Sequence, residues 1–293
     1  MYETFYGFSE KPFHVTADPS FPYPSHQHQE ALAHLKYGVL QRLGFILLTG
    51  EIGTGKTTVA KRLMQELPHP VRTALILNPM LNATQLLRAV LRDLQATADF
   101  QNSTATSVLP SQKGDLLIAI EKLLLKEAHA GGNVVILIDE AQDLSAPALE
   151  QLRLLSNIET TKTKLLQIIL VGQPELTQRL NTDPQLSALR QRIAIRYEIL
   201  PLDSSEVSAY ILHCLERVCQ AESPCFTSEA ISRITEFSRG NPRQINLLCD
   251  QALLAGFVHD SRTIDELMIQ QAAVIVRGNG PAETNEAPHE LNR

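Results

Sequence analysis

The chain has 293 residues, 44% hydrophobic and 20% charged, with a formal net charge of -6 at pH 7. That length holds one large domain or a medium one plus a small one, and the balance is that of an ordinary globular protein. The acidic total argues against a protein that mainly coats nucleic acid, and apolar runs such as "VVILI" fall far short of the roughly 18 residues needed to span a bilayer.

In chain order, "MYETFYGFSEKPF" lacks the basic and apolar regions of a secretory signal. It opens a Pro- and aromatic-rich lead over residues 2–24, followed by a segment of helical period, "HQEALAHLKYGVLQRL". Five short apolar runs come next, "FILLT", "TALIL", "VVILI", "LQIILV" and "IAIRYEI", separated by amphipathic helices up to Pro201. Continuous apolar strands between helices are buried on both faces, which predicts a parallel sheet. From Asp203 to Arg277 only helical patterns remain, beginning with "SSEVSAYILHCLERV", and they predict a small all-helical second domain. "QATADFQNSTATSVLPSQ" reads as a loose surface connection, and "GNGPAETNEAPHELNR" as a disordered tail. Cys214, Cys219, Cys225 and Cys249 form no C-x-x-C pair and read as buried free thiols of a reducing compartment. His26 and His28 lie two apart and do not share a helix face, so "SHQHQEALAHL" reads as a wetted helix start rather than a metal site.

"LLTGEIGTGKTT" carries the first chemistry. Gly50, four residues, then Gly55, Lys56 and Thr57 make a phosphate-gripping loop between the strand "FILLT" and the helix "KTTVAKRLMQEL". Glycines let backbone N–H groups converge on phosphate oxygens, and the helix N-terminus adds its positive end. The expected nucleotide contacts are Gly50, Glu51, Ile52, Gly53, Thr54, Gly55, Lys56, Thr57 and Thr58. Lys56 faces the β- and γ-phosphates, and the Thr57 hydroxyl ligates Mg²⁺.

That loop requires a carboxylate at the tip of a buried strand, and "NVVILIDEAQDL" supplies one. Asp139 is the expected Mg²⁺ residue, and Glu140 the general base that polarises the attacking water. An Asp-Glu pair points to hydrolysis of the γ-phosphate, and the lack of an N-K-x-D run favours ATP over GTP.

The succession "TGEIGTGKTT", "ILIDEAQDL", "ILVGQPEL", "LRQRI" and "GNPRQIN" resembles AAA+ ATPases. With the lead motifs "FYGFSEKPF", "ADPSFPYPS" and "HQEALAHLKYG", it is similar to the ExeA/GspA group of secretion-pathway ATPases over about residues 1–276. Individual motifs are shared with TnsC/TniB-type transposition regulators and ORC/Cdc6-type ATPases. The resemblance implies an α/β P-loop NTPase fold: a three-layer core with a parallel sheet, plus a small all-helical lid domain. It divides the chain into a lead and helix lining the nucleotide site (1–43), the core (44–201), the lid (202–276) and a polar tail (277–293). It implies that Gln173 contacts the γ-phosphate or attacking water. Arg192, or else Arg190, is the arginine finger that reaches a neighbouring subunit, and Arg243 of the lid projects toward the phosphates. The pair in "LRQRI" is expected far along the sheet from its own phosphate loop. Tyr23 to His28 would line the adenine face.

Full ExeA/GspA-like chains continue into a membrane span and a periplasmic region, whereas this sequence ends at Arg293. The resemblance therefore implies a cytoplasmic ATPase using ATP and Mg²⁺, self-associating as a ring or filament. A partner protein would recruit it to an inner-membrane machine for secretion, pilus assembly or polysaccharide export. Two other readings stay open: an ATP-dependent DNA-binding regulator of transposition, and a non-hydrolysing ATP-switch scaffold.

Overall fold

The computed structural model describes residues 1–14, 23, 25–68, 70–77, 79–99, 109–159, 163–219 and 224–278. Most of the expected tail, and residues 100–108 of the expected loose connection, lie outside the described residues. In order, the elements are α1 (Tyr2–Tyr6), α2 (His26–Leu40), β1 (Phe45–Gly50), α3 (Lys56–Glu66), β2 (Val71–Ile76), α4 (Ala83–Asp99) and α5 (Lys113–His129). Next come β3 (Asn133–Ile138), α6 (Ala146–Leu155), β4 (Leu166–Gly172), α7 (Pro174–Thr182), α8 (Ser187–Arg190) and β5 (Ile193–Ile199). The chain then runs through α9 (Ser204–Val218), β6 (Cys225–Phe226), α10 (Ser228–Ser238), α11 (Pro242–Val258), β7 (Thr263–Ile264) and α12 (Glu266–Arg277). The described residues fall into two compact units, those of 16–201 and those of 1–15 with 202–293.

The first unit is built on a five-stranded parallel sheet in the order β2-β3-β4-β1-β5. Every residue of β1, β3 and β4 is buried, which is why these segments read as unbroken apolar runs. Edge strand β5 instead alternates between exposed and partly covered residues. Successive side chains of a strand point to opposite faces. Phe45, Leu47 and Ile136 join one apolar cluster with Leu87, Leu116 and Leu149, while Ile46, Leu48 and Val135 join another with Leu35 and Leu63. Helices α4, α5 and α6 thus cover one face and α2 and α3 the other, giving three layers. Because the strands are parallel, the loops after β1, β3 and β4 leave the sheet on the same edge, where open α/β sheets bind ligands. Helix α4 runs through Gln95–Asp99, part of the expected loose connection. Leu91 and Leu94 are buried, so the apolar stripe holds the helix beyond the point where composition turns polar.

The second unit is mostly helical, and its helices α9 to α12 start on side-chain caps. Asp203 forms a reciprocal capping box with Glu206 on α9, while Thr227, Asn241 and Asp265 cap α10, α11 and α12. The all-helical expectation is corrected by one parallel strand pair, β6 with β7. Each strand has two residues, too few for a period-2 pattern to show. Helix α1 belongs to this unit: the Tyr6 hydroxyl lies 3.1 Å from both Leu253 O and Ser261 O, and the Tyr2 hydroxyl donates to Asp250. The segment expected as one lead, residues 1–43, is therefore divided between the two units. All four cysteines are free, and Cys214 and Cys249 are buried. Cys219 is half-buried and Cys225 exposed, contrary to the expectation of burial, because Cys225 sits on the short β6 where side chains alternate outward.

Candidate functional site

The loop after β1 is shaped by contacts that exclude side chains. A Cβ on Gly50 would sit 2.5 Å from the Ile199 carbonyl oxygen, and Gly55 has φ +91°, a left-handed conformation that favours glycine. Gly55 stands at the N-cap of α3 without a side chain to cap it, so N–H groups of the first turn are left for an outside acceptor. Lys56 begins α3 and is only 6% exposed. Its ammonium donates to Gly50 O and Glu51 O, both at 2.8 Å. Burial pushes this lysine below its ordinary pKa, opposed by the charges of Glu140 and Asp139. A buried cation among backbone carbonyls, beside open N–H groups, suits a polyanion.

The acid pair follows β3, where the strand pattern predicts it. Asp139 is buried, and its Oδ2 accepts from Thr57 Oγ1 at 2.7 Å, bringing together the two expected Mg²⁺ residues. A hydroxyl and a carboxylate are hard oxygen donors and fit Mg²⁺. Asp139 Oδ1 accepts from the Glu140 backbone N–H at 2.9 Å. Glu140 has φ +51°, unusual outside glycine, and it turns the chain into a 3-10 turn at Ala141–Asp143. Its Oε2 accepts from Gln142 Nε2 at 2.7 Å and from Gln173 Nε2 at 3.3 Å. Gln142 Oε1 in turn accepts from the Gln173 backbone N–H at 3.1 Å. Gln173 stands between the end of β4 and Pro174, so two glutamine side chains from two loops meet at Glu140. Gln142 is the member that sequence reasoning missed. Its only signal is its place two residues after Glu140 in "DEAQDL", and an exposed loop glutamine would look the same.

His28 corrects the reading of a wetted helix start. His26 is exposed, but the His28 ring lies with Nδ1 2.5 Å from Ser25 Oγ and Nε2 2.8 Å from Thr54 O. The first turn of α2 packs directly on the phosphate-gripping loop, which a local helical pattern does not reveal. A groove of about 370 Å³ between α2 and α3 is lined by His28, Leu32, Lys36, Thr58, Val59 and Arg62, among others. Of the residues expected at the adenine face, Tyr23 is partly buried and its carbonyl accepts from Ser25 N, while Pro24 lies outside the described residues.

The arginines are distributed. Arg192 donates to Ser156 Oγ at 2.9 Å, and Arg190 to Asn181 O at 3.0 Å. Both precede β5, which pairs directly with β1, so the expectation of a place far along the sheet is corrected. The separation runs along the strands instead. Ile193 pairs with Phe45 at the start of β1 and Ile199 with Gly50 at its end, a span of about 17 Å at 3.3 Å per residue. Arg243 is exposed at the second position of α11, within the mostly helical unit.

A phosphate-gripping loop after the first strand, an acid pair after the third and this strand order give the chain the fold of the AAA+ class of P-loop NTPases. A model for an AAA domain matches residues 40–180. Within that class the chain is similar to General secretion pathway protein A of Aeromonas hydrophila, with 45% identity over 278 residues. The match takes in 95% of this chain and 49% of that protein, so the chain spans about half the length of the curated relative. The ORC2 protein of Aeropyrum pernix, solved as ADPNP-ADP complexes, is similar in fold with TM-score 0.61 at 16% identity, over 91% of this chain and 72% of that one. A Drosophila ORC structure bound to DNA gives TM-score 0.63 at 18% identity, over 92% of this chain and 64% of that one.

Proposed function

We propose that the protein binds ATP with Mg²⁺ and hydrolyses it, self-associates, and uses the cycle to drive assembly of an envelope machine for secretion, pilus formation or polysaccharide export. The observation that carries the hydrolytic part is the convergence of Lys56, Thr57, Asp139 and Glu140 on one edge of the sheet, with Thr57 and Asp139 in direct contact. The loop N–H groups and Lys56 hold the phosphates, releasing Lys56 from the Gly50 and Glu51 carbonyls. Thr57 and Asp139 would hold Mg²⁺, which supplies neutralisation of charge developing on the phosphate oxygens. Glu140 takes the proton of the attacking water, while Gln142 and Gln173 orient its carboxylate through the bonds seen here. The groove beside Thr58 and His28 is the base-side candidate. Arg192 completes a neighbour's site after leaving Ser156, with Arg190 as the second choice.

The secretion reading rests on the similarity to General secretion pathway protein A over nearly the whole of this chain. No helix among the described residues is long and apolar enough to cross a membrane, and recruitment to the inner membrane through a partner is part of the proposal. The test is Glu140→Gln, which retains shape and loses the base. ATP binding persists, phosphate release falls by about 10²–10⁴-fold, and the ATP-locked chain used as bait captures its envelope partner. Phosphate release within about twofold of wild type removes Glu140 as the base.

A further inference from the structure

We infer that His28 is a positioning residue for the phosphate-gripping loop, acting through the Thr54 carbonyl; the inference rests on the nucleotide-binding reading of that loop. Thr54 is fully buried, and its carbonyl oxygen can only accept. His28 Nε2, 2.8 Å away, therefore carries a proton and donates, while Nδ1 lies 2.5 Å from the Ser25 hydroxyl. Ser25 is itself buried and caps α2, with Oγ also accepting from the His28 backbone N–H at 3.2 Å. The ring is thus braced by its own helix cap and presents one N–H to the loop.

The consequence for the loop follows from peptide geometry. The bond joining Thr54 to Gly55 is planar and trans, so its carbonyl and its N–H point in opposite directions. Fixing Thr54 O on His28 turns the Gly55 N–H away from α2, toward the concave side of the loop. Gly55 has no side-chain bulk to set its own conformation, and a Cβ there would lie 2.6 Å from His28 Nε2. A glycine-rich loop samples many backbone states when free. His28 selects the one in which an N–H is aimed at phosphate before nucleotide arrives, so its contribution is to affinity and not to the chemical step.

The test uses three substitutions of His28 with Lys56→Ala as reference, measured by fluorescent-ATP titration and steady-state hydrolysis. A glutamine Nε2 reaches where the imidazole Nε2 stands, whereas an asparagine is shorter and matches only Nδ1. His28→Ala and His28→Asn weaken ATP binding by about threefold to tenfold, the range of one neutral hydrogen bond. The loss falls on KM rather than kcat, and His28→Gln recovers most of the affinity. His28→Gln binding as weakly as His28→Asn, or all three binding as wild type while Lys56→Ala does not, overturns the inference. Unsubstituted protein that fails to bind ATP overturns the loop reading first, a distinct outcome. Nitrogen-15 NMR of the unsubstituted protein needs no variant to fold: His28 is expected to carry a proton on Nε2, and a ring without a proton on Nε2 refutes the bond to Thr54.

Discussion

Removing the buried ammonium is the sharpest test of the phosphate site. In Lys56→Met the side chain keeps nearly its length and loses its charge. The two bonds to Gly50 O and Glu51 O vanish in the free protein, so the useful quantity is the change that ATP makes within each variant. A charge-assisted hydrogen bond contributes about 1.5–3 kcal/mol. Two such contacts to phosphate oxygens, at about 1.4 kcal/mol per decade, amount to about 10²–10⁴ in affinity. With ATP at about a hundred times the wild-type Kd, binding stabilises the wild type by about 2.7 kcal/mol. For a unit of this size, that raises Tm by about 5–10 °C. At the same ATP concentration Lys56→Met is at best half-saturated, and its Tm moves by only about 1 °C. Differential scanning fluorimetry with and without Mg-ATP reads both. An ATP-induced shift in Lys56→Met within about 2 °C of the wild-type shift would refute the argument that Lys56 faces phosphate.

Two other predictions concern assembly and the alternative partner. Arg192→Ala binds ATP nearly as wild type but hydrolyses it more slowly, approaching the roughly 10³-fold lower end for arginine fingers. Mixing it with Glu140→Gln restores part of the activity if a site on one chain uses the arginine of another. Light scattering that finds a monomer in ATP, with no rescue on mixing, defeats the shared site. The DNA-binding alternative predicts ATP-dependent binding to duplex DNA that weakens steeply with salt through counterion release, and a gel shift without binding at low salt removes it.

The placement of the loop and of the acid pair was legible in the sequence because each is contiguous. "GEIGTGKTT" and "ILIDE" carry their residue types, spacing and flanking elements within a short stretch of chain, and the central strands announce themselves because burial on both faces leaves no polar alternation. Only the tertiary structure brought Gln142 and Gln173 onto the carboxylate of Glu140, set β5 beside β1, and carried Tyr2 to Asp250 across 248 positions. It also turned His28 from an apparent wet helix start into a brace on Thr54, 26 positions away. Polar side chains on loops and helix ends carry no periodic signature, since water would satisfy them equally well in an exposed segment. Which of them meets a buried carbonyl or carboxylate is decided by the packing of whole elements, and local pattern does not encode that.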